Sequence, residues 1–284
     1  MTALRRLMNM NWRIIWRIAL KDWKEILHNR MVLMPALITP LIFTVFLPGV
    51  ILSLSNTASL PGGSLGKQTS GAALIAIMPP AVREQLTGLN IDQATVVLLL
   101  GFFLAPLFLM VPLLVASVIG ADSIVGEKER KTLEALLYTP ASDGELYIAK
   151  LISSVVPAIA VAWLSFGVYI IVTNVLGAPL MGRIWFPLPH WWPLIFWVSP
   201  AVALLGMSVI VLVSSRVSTF TGAQQISGLV AMPIVLLVIG QVVGIVSLGV
   251  VEVFALGAVI WIVDAGLIWI GVKQFSRSAL MARI

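Results

Sequence analysis

Charged side chains that could carry chemistry are concentrated in one segment, residues 120–150. Within it, Glu127 with Lys131 and Arg130 with Glu134 are pairs of opposite charge four residues apart. On a helix this spacing places each pair on one face, where its members attract each other. The same stretch carries a short apolar patch: Leu133, Leu136 and Leu137. A short amphipathic helix of this kind suits docking into a groove of another protein, and a solvated connector is the alternative interpretation.

Residues that end and start helices follow this stretch. Pro140 ends the first helix, because proline has no amide hydrogen to continue it. Ser142 and Glu145 then match the Ser-x-x-Glu capping box, which predicts the start of a second helix leading into an apolar segment.

The rest of the sequence contains no residue pattern typical of a catalytic or cofactor-binding site. There is no Cys, and His28 and His190 are too far apart in sequence to suggest a metal pair. The run 62–69 looks like a phosphate-binding loop, but Pro61 stands at the first Gly position and Gln68 replaces the required Ser or Thr. We therefore predict no catalytic residue, no metal site and no cofactor bound by this chain.

Composition sets the fold class. The chain of 284 residues is 60% hydrophobic and 11% charged, with a mean hydropathy of +1.04. Average soluble proteins are about half apolar and about a quarter charged, so this composition excludes a soluble enzyme. A helix needs ~20 apolar residues to cross a ~30 Å hydrocarbon core, and six segments have that length: about 31–53, 94–119, 151–174, 193–213, 226–246 and 253–272. The predicted fold is all-α, a single polytopic transmembrane domain over residues 1–284 with six transmembrane helices.

The distribution of Lys and Arg predicts the orientation. Of the 18 basic residues, 15 fall in four segments: residues 1–30, 120–150, 214–225 and 273–284. By the positive-inside rule these segments and both termini are cytoplasmic. The net charge of +6 follows from this topology, so it does not require a nucleic-acid partner. We expect a multi-pass protein of a bacterial or archaeal plasma membrane.

The residues before the first span predict a cytoplasmic amphipathic interface helix. Between residues 10 and 29, apolar residues recur at helical spacing: Trp12, Ile15, Trp16, Ala19, Leu20, Trp23, Ile26 and Leu27. Basic residues fall mostly on the other side: Arg13, Arg17, Lys21 and Lys24. Such a helix lies in the inner interface, with its basic side chains toward anionic headgroups, so membrane lipid is a predicted partner. The same helix, with Glu25, is also a candidate contact for a cytoplasmic protein.

Two polar residues lie inside predicted spans and are candidate pathway residues. Asp264 is a carboxylate within the last span, where ionisable groups are costly and often functional. A protonated or hydrogen-bonded packing residue is the alternative. Gln241 lies in the GxxxG run 240–244, a spacing that permits close helix approach within one chain or between chains.

Aromatic residues cluster in the predicted outer loop before the fourth span: Trp185, Phe186, Trp191 and Trp192, with His190 among them. This pattern is typical of an aromatic belt at the outer membrane interface.

The charged segment resembles a known family. The run 125–142, Val-Gly-Glu-Lys-Glu-Arg-Lys-Thr-Leu-Glu-Ala-Leu-Leu-Tyr-Thr-Pro-Ala-Ser, followed by Glu145 and Lys150, is similar to the signature of permease subunits of type-2 ATP-binding-cassette (ABC) transporters. The run 21–26 before the first span resembles the interface helix of that family. Lys131 departs from the pattern, which has a small residue, often Gly, before Thr-Leu-Glu.

The resemblance implies a function. It implies the membrane-spanning subunit of an ATP-driven transporter, most often an exporter, which forms the translocation pathway and catalyses nothing itself. ATP and Mg would be bound by separate cytoplasmic ABC ATPase subunits, and a second permease copy or a homologous permease would complete the pathway. The resemblance further implies that one set of residues receives the motion of the ATPase: Glu127, Lys128, Glu129, Arg130, Lys131, Thr132, Leu133, Glu134, Leu136 and Leu137.

Two other functional classes compete with this interpretation. An ion-coupled secondary transporter or channel would use Asp264 as its ion site, but the sequence shows no inverted repeats or matched broken helices. A membrane-embedded hydrolase would need a paired-carboxylate, His-rich or nucleophile-elbow arrangement, which the sequence lacks. Co-purification of an ATPase would separate the transporter subunit from both.

The orientation leads to a labelling prediction. Because the basic residues fall on one side, we expect a Cys introduced at Ser64 or Gly182 to react with an impermeant thiol reagent in intact cells. A Cys introduced at Ser142 should react only after permeabilisation. The chain has no native Cys, so each introduced thiol is unique. Labelling of Ser142→Cys in intact cells would overturn the orientation.

Overall fold

Helices form all the regular structure of the described chain. The computed structural model describes residues 11–57, 73, 75–76, 78–130, 141–214, 217, 219–246 and 248–274. Over these residues every regular element is helical, which confirms the all-α fold. Five of the helices are long and apolar enough to cross a membrane, which confirms a polytopic membrane protein.

The described helices are numbered along the chain. In chain order they are α1 (Trp12–His28), α2 (Arg30–Ser55), α3 (Ile91–Glu129), α4 (Asp143–Met181), α5 (Trp191–Ser214), α6 (Phe220–Leu229), α7 (Met232–Val242) and α8 (Val250–Gln274). A short helix, Pro80–Gln85, precedes α3. Within the described residues, π-helical segments interrupt α2 at Ile42–Phe46, α3 at Val97–Phe103 and Asp122–Gly126, and α5 at Leu194–Val198.

The predicted fifth span, 226–246, is not one continuous helix. Helix α6 ends at Leu229 and α7 begins at Met232, so the two pieces have 10 and 11 residues. Gly228 weakens the end of α6, because glycine loses more conformational freedom than other residues when it becomes helical. Pro233, in the first turn of α7, has no amide hydrogen with which to bond the preceding turn. The span predicted at 226–246 is thus built from two shorter helices, and α7 is the shorter apolar helix that accompanies the five long ones.

Helix α4 is longer than its predicted span, 151–174. It has 39 residues because the capping box at Ser142 starts it early and Gly182 ends it late. Gly182 adopts φ 64°, a left-handed conformation that glycine accepts without strain and that terminates helices. The first turns of α4 therefore project past the predicted membrane boundary on the side that the sequence predicts to be cytoplasmic.

Helices α3 and α5 form the centre of the bundle and approach each other closely. A Cβ atom on Gly206 of α5 would lie 2.9 Å from the carbonyl oxygen of Leu113 on α3, and one on Gly120 of α3 would collide with Met207 of α5. Small residues at such positions let helix backbones pack tightly in a membrane. In the most apolar stretch of α3, 83% of the residues are buried inside the bundle. In that of α8 only 17% are buried, so most of its apolar side chains can face lipid.

Aromatic side chains satisfy backbone carbonyls in the outer half of α3. The carbonyl oxygen of Gly101 accepts a hydrogen bond from Trp191 Nε1 at 2.7 Å and lies 2.9 Å from His190 Nε2. The carbonyl oxygen of Leu100 accepts one from the Tyr169 hydroxyl at 2.7 Å. Inside a bilayer no water is present to bond backbone groups, so side chains must donate the hydrogen bonds wherever the regular helical bonding is interrupted. Trp191, His190 and Phe186 are buried, so the predicted aromatic belt is wrong for these three, while Trp192 remains half-exposed.

Candidate functional site

A cluster of four charged side chains, three of them buried, joins three helices at the end of the bundle that the sequence predicts to be cytoplasmic. Lys150, in the third turn of α4, is 1% exposed. Its Nζ lies 3.0 Å from Asp22 Oδ2 on α1 and 2.9 Å from Glu127 Oε2 at the end of α3. Lys21 Nζ, on α1, lies 3.1 Å from the other oxygen of Glu127. We refer to Lys21, Asp22, Glu127 and Lys150 as the ion cluster.

Helix caps fix the position of the ion cluster. The predicted capping box is confirmed: the Ser142 amide donates to Glu145 Oε2 at 2.7 Å, and the Glu145 amide donates to Ser142 Oγ at 3.3 Å. Glu145 Oε1 accepts a further bond, at 2.7 Å, from the amide of Asn11, the residue that caps α1. One carboxylate thereby ties the start of α1 to the start of α4, and Lys150 follows two turns later.

Apolar packing keeps water from three members of the ion cluster, Asp22, Glu127 and Lys150, whereas Lys21 is about half exposed. Buried side chains of α1, α3 and α4 form a continuous apolar group beside it: Ile15, Ile18, Ala121, Ile124, Val125, Leu146 and Ala149. Burial raises the pKa of Asp22, and the charge of Lys150 together with its hydrogen bond opposes that rise. A buried ion pair is costly to break, because removing one partner leaves an uncompensated charge in a poorly solvating environment.

The acidic members of the cluster, together with Glu25, have geometry that a metal could use, but two lysines already pair with these three carboxylates. Carboxylate oxygens of Asp22, Glu25 and Glu127 lie within 4.8 Å of one another. Lys21 Nζ is 3.2 Å from Glu25 Oε1 and also contacts Glu127, and Lys150 contacts the other two carboxylates. The two ammonium groups supply the positive charge that a bound cation would otherwise supply.

A second ion pair crosses the π-helical segment that precedes Glu127. Arg130 Nη1 lies 2.9 Å from Asp122 Oδ1, and this bridge passes over Gly126. A Cβ atom on Gly126 would lie 2.8 Å from Asp122 Oδ1 and 3.3 Å from the Arg130 guanidinium. The glycine is therefore required by the close approach of the pair. The i,i+4 partner predicted for Arg130, Glu134, lies outside the described residues.

The predicted coupling residues divide into three groups. Glu127 is buried and directs both carboxylate oxygens to lysines of the ion cluster. Lys128, Glu129 and Arg130 are partly or fully exposed, and Glu129 Oε2 accepts a hydrogen bond from the amide of Phe220 at 2.9 Å. The remaining predicted residues lie outside the described part of the chain: Lys131, Thr132, Leu133, Glu134, Leu136 and Leu137. The coupling role of all three groups stays a prediction.

The interface helix α1 has three faces, where the sequence predicted one apolar stripe. With about 100° of rotation per residue, the buried side chains form one sector of the helix: Ile15, Ile18, Ala19, Asp22 and Ile26. Exposed apolar side chains form a second sector: Trp12, Trp16, Leu20 and Leu27. Exposed basic side chains form a third, next to the second: Arg13, Arg17 and Lys24. Trp23 lies at the border of the first two, where its Nε1 donates to the Ser153 carbonyl at 3.0 Å.

Asp264 and Gln241 form none of the described ion pairs of the cluster. Asp264 of α8 is fully buried, and neither of its carboxylate oxygens has a hydrogen-bond partner among the described residues. Gln241, near the end of α7, is buried, and its side-chain oxygen likewise has no such partner there. The structure does not bring the two predicted pathway residues into one site with the cytoplasmic charges.

Sequence reasoning missed the roles of Lys150 and Asp22. Helical charge rules count partners within one turn, whereas Lys150 and Asp22 are 128 residues apart in the chain. One signal was present: Lys150 is a charged residue between apolar neighbours in a helix that leads into a span. A lysine in that position needs a buried anion from another element.

A comparison with protein families decides the identity of the chain. The family model described as "ABC-2 family transporter protein" matches residues 16–267. The chain belongs to the ABC-2 transporter family. This confirms the resemblance on which the sequence interpretation rests and makes the chain a membrane subunit of an ABC transporter. The matched region of the ABC-2 protein includes the whole ion cluster, and a search of curated protein sequences finds no match.

The ion cluster gives a stability prediction for the ABC-2 protein. Lys150→Met leaves two buried carboxylates without their shared cation, so we expect unfolding in detergent to require ~3–5 kcal/mol less free energy. Lys24→Met removes an exposed ammonium of α1 and should change this free energy by less than ~0.5 kcal/mol. Adding Asp22→Asn and Glu127→Gln to Lys150→Met should restore most of the loss, because the buried charges are then gone. Native-like stability of Lys150→Met alone would contradict the cluster.

Proposed function

We propose that this ABC-2 protein forms the translocation pathway of an ATP-driven exporter and couples to separate cytoplasmic ATPase subunits through the ion cluster. ATP and Mg are bound by those subunits, and the pathway is completed by a second copy of the chain or by a homologous permease. Family membership supports the transporter subunit, and the single observation that supports coupling is the burial of Lys150 between Asp22 and Glu127.

The ion cluster is suited to transmit force. Helix α1 and the end of α3 lie on the side that the sequence predicts to be cytoplasmic, and α4 runs from there as a 39-residue helix through the predicted span. Separating Lys150 from either carboxylate would leave a buried charge unpaired, so relative sliding of the three helices is strongly disfavoured. A push on α1 or on the end of α3 therefore moves α4 as well.

The ion-coupled alternative depends on Asp264. A cation site normally offers several oxygen ligands, whereas the groups of acidic and His side chains close enough to share an ion in the described residues do not include Asp264. A packing role inside the bundle needs only a protonated carboxyl group. The coupled ATPase function is thus better supported.

Lipid contact by α1 is a second part of the proposal. The sector with the exposed tryptophans lies beside the basic sector, an order that fits an inner leaflet whose acyl boundary and anionic headgroups are adjacent layers. The buried sector, the first of the three, holds Asp22 against the bundle. Helix α1 thereby connects the leaflet surface to the ion cluster.

The coupling proposal is tested on the complex purified from native membranes. We expect a Mg-dependent ATPase to co-purify with the tagged chain in mild detergent. A Cys at Ile184, a strongly exposed outer residue, should change its labelling rate when ATP is added. In the variant Asp22→Asn/Glu127→Gln/Lys150→Met we expect ATP hydrolysis to persist while this labelling change is lost. The matched control, Arg83→Gln/Glu84→Gln, neutralises exposed charges of the predicted outer loop and should retain the change.

The two parts of that experiment fail separately. If no ATPase co-purifies under any mild condition, the transporter function proposed here is wrong. If the neutral triple variant still shows the ATP-dependent labelling change, the ion cluster does not carry the coupling.

The lipid proposal predicts a specific effect of charge. Each exposed base near an anionic surface contributes ~1 kcal/mol of attraction. We expect nanodiscs with anionic phosphatidylglycerol to raise the melting temperature of the protein relative to neutral phosphatidylcholine, and Arg13→Gln/Arg17→Gln/Lys24→Gln to remove most of that difference. Arg83→Gln/Arg183→Gln, on the opposite side, is the control. An undiminished lipid effect in the triple variant would place the lipid contact elsewhere.

A further inference from the structure

The carboxylate of Glu129 reaches from the end of α3 to the start of α6. Glu129 Oε2 accepts a hydrogen bond of 2.9 Å from the backbone amide of Phe220, the first residue of α6. The two residues are 91 positions apart in the chain. Helix α6 is the inner piece of the interrupted fifth span, so the contact joins the predicted coupling segment to an element with no part in the ion cluster.

The contact is a helix cap supplied by another helix. The first amides of a helix have no partners within it and carry a partial positive charge, which a carboxylate stabilises. Thr219 Oγ1 accepts from the Gly222 amide at 3.2 Å and so satisfies one of these donors locally. Glu129 satisfies another with a charged acceptor, and hydrogen bonds to charged groups are the stronger kind.

Helix α6 is held mainly at this inner end. Ala223 is fully buried, and the Phe220 side chain packs against apolar groups that include residues of α3 and α5. At the other end the helix stops at Leu229, and the break before Met232 separates it from α7. A force applied at Phe220 therefore acts on a ten-residue helix that has no continuous helical connection to the outer half of the span.

The last three residues of α3 thus carry two carboxylates with different partners. Glu127 binds the lysines of α1 and α4, and Glu129 caps α6. We propose that Glu129 is a positioning residue that makes α6 follow the end of α3 when the transporter is driven. This inference rests on the proposed coupling function, and it adds a second route from the end of α3 into the bundle, independent of Lys150.

Two substitutions separate capping from a surface role of the Glu129 charge. Glu129→Gln keeps a side-chain oxygen that accepts a hydrogen bond, whereas Glu129→Ala removes it. If Glu129 acts as the cap of α6, the Gln variant retains most of the native behaviour and the Ala variant does not. If the charge serves only to dock an ATPase, both variants lose the same behaviour.

Hydrogen exchange measures the cap directly in the purified full-length protein. We expect Glu129→Ala to raise the exchange of the first-turn amides of α6 by roughly 2- to 30-fold, the range that measured losses of helix N-caps correspond to. Glu129→Gln should raise it less, and Glu84→Ala, which removes an exposed carboxylate of the outer loop, should leave it unchanged. Unchanged exchange in Glu129→Ala would overturn the capping contact.

Spin labels measure the positioning role in the ATPase complex. Pairs of introduced Cys at Gln225 and Ile184 report on α6, and pairs at His28 and Ile184 report on α1. We expect ATP to shift both distances in the unsubstituted complex, and Glu129→Ala to abolish the shift at Gln225 while keeping the shift at His28. Glu129→Gln should rescue the shift at Gln225.

The outcomes distinguish this inference from the function on which it rests. If ATP shifts neither distance in the unsubstituted complex, the coupling function fails. If both shift and Glu129→Ala leaves the Gln225 distance responsive to ATP, the coupling function stands and the positioning role of Glu129 is wrong. Equal loss in the Ala and Gln variants assigns the residue to docking and likewise overturns its role as the cap.

Discussion

The burial of one lysine ammonium between two carboxylates organises the predicted cytoplasmic end of this protein. Lys150 is tolerated at 1% exposure only because Asp22 and Glu127 both reach it. For Asp22 and Glu127 both to contact Lys150, α1 must lie along α4 and α3 must end beside the third turn of α4. The bond from Asn11 to Glu145 and the capping box at Ser142 meet that requirement by fixing where α1 and α4 begin. The electrostatic contact and the local caps therefore depend on each other.

The need to satisfy backbone groups without water shapes the other end of the bundle. The π-helical segment of α3 is stable in an apolar environment because Tyr169 and Trp191 donate to the carbonyl groups of Leu100 and Gly101. Trp191, which the sequence predicts at the outer interface, is instead buried in the bundle, where it donates this hydrogen bond. In the same helix, the Asp122–Arg130 bridge closes over Gly126 at the inner π-helical segment. Both irregular segments of α3 are thus supported by side chains that fit them.

Local signals in the sequence predicted much of this structure. The hydropathy of the spans, the capping box at Ser142 and the amphipathic pattern of α1 each depend on residues within a few turns of one another, and the structure has the predicted helices. The contacts of Lys150 with Asp22, and of Glu129 with Phe220, join residues 128 and 91 positions apart. No periodicity of a single helix encodes such pairs. The break between α6 and α7 was marked by Gly228 and Pro233, but the high mean hydropathy of the region concealed it, because an average over a span does not respond to a lost hydrogen bond.

The interruption of the fifth span has a mechanical consequence. A continuous transmembrane helix moves as a rod, so a displacement at its inner end appears at once at its outer end. Helix α6 is a short lever instead: its 10 residues span about 15 Å, and each 10° of tilt about the break moves its inner end by roughly 2.6 Å. Helix α7 need not turn with it. In the transporter proposed here, a tilt of α6 therefore need not reach the far end of the fifth span at the same moment.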